Sequence, residues 1–148
     1  MPRAALMSLA LTLCATLGTS EAVAAAAGSW VGALPRQVVV ASQRALSSDQ
    51  VMPPAHLGQA SVTRVSWRFD VEGPVQGLEA KLCQAELCVA LDTTHGSTRR
   101  FAGRDASQPL RFEFRLRPRS GTRAVISHGQ IMVDFARGAP LTGGKKAK

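Results

Sequence analysis

The sequence contains no tyrosine and only two tryptophans among its 148 residues. Sugar- and wall-binding modules stack their ligands on aromatic rings that keep one face open, so a carbohydrate-binding β-sandwich, the alternative reading for this chain, would have to work with Trp30 or Trp67. The three histidines, His56, His95 and His128, lie far apart, and none has a partner two or four residues on, so no zinc-ligand spacing exists. There is no G-x-S-x-G elbow, and Asp92-Thr93-Thr94-His95, which gathers acid, hydroxyl and imidazole, reads as a turn. No catalytic residue, metal or cofactor is assigned, and the chain is not read as an enzyme. Acidic residues are scarce as well, ten against 18 Lys and Arg, for a net charge of +8. That balance favours acidic partners (protein, anionic wall polymer or lipid headgroup) and says nothing about fold.

The N-terminus sets the compartment. Met1-Pro2-Arg3 is basic, Ala4 to Leu17 is almost wholly apolar, and Ala22-Val23-Ala24 is a small-x-small cleavage site, together a secretory signal peptide over residues 1–24. The apolar run falls short of the ~20 residues that span a bilayer, so the cleaved chain is read as periplasmic and not membrane-spanning. A secreted chain meets no nucleic acid. Taking 24 from 148 residues leaves 124, a single-domain length, and the loss of Arg3 and Glu21 keeps the charge at +8. Cleavage also removes Cys14, so Cys83 and Cys88 remain in an oxidising space.

What is present is β alternation. Val65, Trp67, Phe69 and Val71 take one face of a strand while Arg64, Ser66, Arg68 and Asp70 take the other, until Glu72-Gly73-Pro74 ends it. Leu110 to Arg117 repeats the pattern, with Phe112 and Phe114 on the apolar face and Arg111, Glu113, Arg115 and Arg117 opposite. Trp67, Phe69, Phe112 and Phe114 are therefore the expected core. Between these strands lies a hairpin that checks its own register: pairing Cys83 with Cys88 places Leu82 opposite Val89 and Ala80 opposite Leu91. A non-hydrogen-bonded antiparallel pair brings α-carbons to about 4.5 Å, within reach of a disulfide. The C-x4-C spacing could also be half a metal site, but no second Cys/His pair at ligand spacing accompanies it.

Elsewhere the signals are shorter. Strands are expected from Gly28 and over Gln37 to Ala41, separated by Pro35; Ser42 to Gly58 reads as a long surface loop with one short strand. A strand over Ser97 to Ala102 would carry Phe101, and two more would cover Ala124 to Ser127 and Gln130 to Phe135, parted by His128-Gly129. Residues 138–148 hold too little apolar surface to fold and form a flexible basic tail. The expected fold is all-β, an antiparallel β-sandwich of about seven to nine short strands with one disulfide-stapled hairpin, over residues 25–137.

These residues carry a resemblance. Val65-Ser66-Trp67-Arg68-Phe69, Gly73-Pro74, Gly77-Leu78, Lys81-Leu82-Cys83, Cys88-Val89, Phe101-Ala102-Gly103 and Pro109-Leu110-Arg111-Phe112 resemble, in order and spacing, the flagellar protein FlhE family. Trp30 resembles that family's mature start. The departures are Phe69, where tyrosine is expected, and the basic tail. The resemblance implies a non-enzymatic periplasmic accessory of flagellar biogenesis that helps control the export apparatus and limits proton leak through it. Its partners would be flagellar export or rod components in the periplasm. The charge pattern adds a candidate partner-binding face of Arg111, Arg115 and Arg117, joined by Arg68 and Lys81 from other strands.

Overall fold

A computed structural model describes residues 26–138; the expected signal peptide and all of the expected tail beyond residue 138 lie outside them. Nine strands form two sheets, and every pairing is antiparallel. In the first sheet the order is β1 (Ala26–Leu34), β9 (Arg123–Arg137), β4 (Ala60–Glu72) and β7 (His95–Thr98), with β2 (Gln37–Val40) also against β9. The second sheet runs β3 (Leu46–Ser47), β8 (Arg111–Leu116), β5 (Leu78–Gln84) and β6 (Leu87–Leu91). The described residues contain no helix.

Alternation puts one row of side chains from each sheet into the space between them. Val65, Trp67 and Phe69 come from β4, Ile131, Val133 and Phe135 from β9, and Leu82, Phe112, Phe114 and Leu116 from the second sheet; all are buried. Each such side chain contributes about 1.5–3 kcal/mol when fully removed from water. At the centre, Phe69 meets Phe112 and Phe114 edge-on at 5.9 and 5.5 Å, while Phe112 and Phe114 stack at 5.5 Å. The edge-to-face contacts set the positive rim of one ring on the negative face of the other and tie the two sheets together.

The hairpin register is as expected: Cys83 pairs with Cys88, Leu82 with Val89 and Ala80 with Leu91. Gln84 and Leu87 close it around Ala85-Glu86, with Ala85 at φ 49°, the left-handed conformation that two-residue hairpin turns demand. Cys83 and Cys88 form a disulfide with α-carbons 4.1 Å apart. Because it closes a loop the hairpin already holds, it contributes less than the ~2–4 kcal/mol typical of disulfides.

Three expectations are corrected. First, β9 is one strand, not two. Ala124 and Ile126 are buried at even positions and Ile131, Val133 and Phe135 at odd ones, so the facing side changes across His128-Gly129. A register shift against β4 between Arg68 and Asp70, with His128 at φ 50°, absorbs the change without ending the strand. Secondly, the strand after the hairpin is His95–Thr98, and Phe101 reaches the core from the turn that follows. Thirdly, the stretch from Ser42 to Gly58 is not merely a surface loop: Ser48, Val51 and Leu57 are buried in it, and Val51 pairs with Leu110.

Candidate functional site

Outward-facing residues of β5 and β8 build the candidate site. Antiparallel pairing sets Glu79 opposite Arg115, Lys81 opposite Glu113 and Cys83 opposite Arg111, so acids and bases alternate across the two strands. Arg115 and Arg117 both close on Glu79: Arg115 donates Nε to Oε2 at 2.8 Å, with Nη2 at 2.6 Å, and Arg117 donates Nε to Oε1 at 2.8 Å, with Nη2 also at 2.8 Å. Arg111 donates Nη2 to Glu113 at 3.2 Å and Nη1 to the Ala85 carbonyl at 3.3 Å. The three arginines are thus partnered, and four basic side chains against two acidic ones leave an excess of two positive charges on the face.

Arg68 does not join them. It lies on β4 in the first sheet, beside Gln130 and His95, and the core separates it from β8. Outward faces of the two sheets of a sandwich point in opposite directions, so a shared outward phase along two strands did not mean a shared surface. Lys81, by contrast, stands on the same face as Arg111, Arg115 and Arg117.

The arginines hold the Glu79 carboxyl below its ordinary value of 4.5, the hydrogen bond from Arg117 contributing most and that from Arg115 next. A carboxyl whose folded pKa is depressed adds stability at pH values above its unfolded pKa and loses it as pH falls through the depressed value. Glu79→Gln is therefore expected to be less stable than wild type near neutrality, with the gap closing as pH drops below 4.5. Urea midpoints across that range check it. Because the group is only half-buried, the gap should be small and shrink further in salt. A gap that widened in acid would contradict the clamp.

Among the described residues, the remaining titratable groups do not assemble a reaction centre. His128 Nδ1 lies 3.0 Å from Asp70 Oδ2, but both side chains are over two-thirds exposed, and no hydroxyl among the described residues bonds the ring. Cys83 Sγ, Cys88 Sγ and a Glu113 oxygen lie within 4.8 Å of one another, yet the two sulfurs are bonded together and so offer no thiolate. Both tryptophans and all five phenylalanines are buried, which leaves the carbohydrate-binding reading without an open ring. Trp67 spends its Nε1 proton on the Thr93 carbonyl at 2.9 Å.

One buried polar residue escaped the sequence reading. Gln84, 1% exposed, ends the inward row of β5 and latches the connection before β8: its Nε2 donates to the carbonyls of Asp105 at 2.9 Å and Gln108 at 3.4 Å, and its Oε1 accepts from Arg104 Nε at 2.9 Å. Its continuation of the Ala80–Leu82 phase was the available signal.

Fold and site together define a class: a small antiparallel β-sandwich with a charged outer face on one sheet. The match within that class is particular. The family model described as "Flagellar protein FlhE" matches residues 38–136, from the second residue of β2 to the penultimate residue of β9. The chain belongs to the flagellar protein FlhE family. It is 36% identical over 79 residues to flagellar protein FlhE of Salmonella typhimurium, covering 50% of this chain and 59% of that protein, so the match spans just over half of that relative's length. To FlhE of Yersinia enterocolitica it is 28% identical over 126 residues, covering 81% of this chain and 89% of the relative. A crystal structure of FlhE superposes with a TM-score of 0.68 at 27% identity, over 77% of this chain and all of the other. No helix among the described residues is long and apolar enough to cross a membrane.

Proposed function

We propose that this protein is a non-enzymatic periplasmic accessory of flagellar biogenesis that docks on export or rod components and limits proton leak through the export apparatus. The observation that carries the reading is the family match over residues 38–136. Support for the compartment comes from the signal-peptide pattern of residues 1–24 and from the Cys83–Cys88 bridge, since disulfides persist in oxidising spaces. The docking surface in this reading is the outer face of β5 and β8. Guanidinium groups there suit acidic partners because their planar forks match carboxylates.

The test is a strain lacking the gene but with its export channels assembled. Its cytoplasm is expected to acidify abnormally in acidic medium, and normal cytoplasmic pH with normal flagella would refute the role. Complementation with Arg111→Glu and Arg115→Glu should fail while the variant protein remains folded, because reversal places each new carboxylate beside Glu113 or Glu79 and repels an acidic partner.

A further inference from the structure

Two arginines that share one carboxylate are not exhausted as donors. Glu79 grips Arg115 and Arg117 by their Nε and Nη2 atoms only, and Nη1 of each has no protein hydrogen-bond partner among the described residues. A guanidinium carries five N–H donors in a rigid fork, so each retains three, now held in a fixed plane. One carboxylate against two guanidiniums also leaves a positive charge. Arg119 adds another from the Pro118–Ser120 turn, where Ser120 N–H donates to the Arg117 carbonyl at 3.0 Å.

These arginines line a groove of about 560 Å3 together with Ser42, Gln43, Pro118 and Ser120. Its size falls within the ~300–1,000 Å3 of small-ligand sites. The wall is anchored: Ser42 N–H donates to the Leu116 carbonyl at 3.1 Å, and Ser42 Oγ accepts from Arg44 N–H at 3.1 Å.

We propose that this groove is an anion site that takes a carboxylate of an acidic peptide segment on the free edges of Arg115 and Arg117, with Arg119 lining the same groove. Glu79 is then a positioning residue, a built-in carboxylate that holds both forks ready. The inference rests on the docking role given above to the outer face of β5 and β8, and it names where on that face the partner's acid sits. The lining favours peptide over membrane: Ser42, Gln43 and Ser120 suit backbone amides and carbonyls, whereas a lipid surface calls for several apolar side chains around the charges and Pro118 is the one apolar residue in the lining.

The experiment titrates hexaglutamate into the mature protein and follows backbone amide shifts. Shifts are expected at residues 42–43 and 115–120. Arg117→Gln with Arg119→Gln should weaken binding about tenfold, the loss of one or two charge-assisted hydrogen bonds. Arg64→Gln with Arg99→Gln removes the same charge beside the first sheet and should change affinity less than about twofold. Arg119→Gln alone serves as the second variant, since Arg119 makes no ion pair among the described residues. Equal weakening by the two double variants would show attraction by net charge alone and overturn the site, leaving the flagellar reading untouched. Binding to phosphatidylglycerol vesicles through the same residues, without binding to hexaglutamate, would overturn the peptide assignment. Intact groove binding in a protein whose deletion leaves flagella and cytoplasmic pH normal would instead refute the flagellar reading and uphold the site.

Discussion

Trp67→Ala is expected to destabilise the domain by about 3–5 kcal/mol, the cost of emptying a large aromatic site that its surroundings cannot refill. Trp67 sits inside β4 between β9 and β7, and Gly96 lies so close beneath it that a β-carbon there would stand 2.7 Å from the ring. That fit leaves little freedom for collapse. Against the ~5–15 kcal/mol total of a domain this size, such a loss is a large share. Trp67→Phe separates the contributions: it keeps much of the packing but leaves the Thr93 carbonyl without its 2.9 Å donor, so it should fall between wild type and alanine. Urea unfolding of the three proteins decides the matter. A loss under about 1 kcal/mol for alanine would mean the pocket refills.

Gln84→Leu should cost roughly 1–3 kcal/mol although it keeps the residue's size and makes it more apolar. Leucine fills the space but takes away the partner that Gln84 gives the Gln108 carbonyl and the Nε of Arg104, and leaves the Asp105 carbonyl with only the Gln108 N–H at 3.3 Å. The effect should be local. Gly103 N–H bonds the Val62 carbonyl and Ala106 N–H that of Ala60, each at 2.9 Å, so loosening the connection should speed hydrogen exchange at those two amides before it does so in β5 or β8. Unchanged stability with unchanged exchange at Gly103 and Ala106 would remove the latch.

Local chemistry made some of this legible and hid the rest. The faces of β4 and β8 could be read because buried and exposed residues alternate over many positions, and the hairpin because one register satisfies both the sulfurs and the apolar row. Alternation reports only which side of a strand is inward. It is silent on which sheet owns the strand, and for that reason Arg68 was grouped with arginines on the far side of the molecule. The Glu79 clamp was hidden for a related reason: it joins residues 36 and 38 positions apart and exists only because β5 lies beside β8. In β9 the switch of buried positions from even to odd was visible, but a bulge and a loop produce the same switch; the neighbouring strand β4 supplies the missing hydrogen bonds and decides for the bulge. Phe101 misled because burial without a strand leaves no period to detect.

The order of strands in the first sheet bears on when the molecule can form. β9 is the last strand in sequence, yet it stands between β1 and β4 and also carries β2. A chain made from its N-terminus onward holds β1 and β2 with no partner, and β4 with only the short β7, until β9 is made, whereas β5 and β6 are neighbours in sequence and can close as soon as both exist. Truncation before residue 123 therefore does not shorten the sheet from one end but removes its middle, releasing β1 and β2 and leaving β4 with β7 alone. Until β9 is in place the first sheet has no middle and the sandwich cannot close, which leaves its strand edges open to aggregation during that interval.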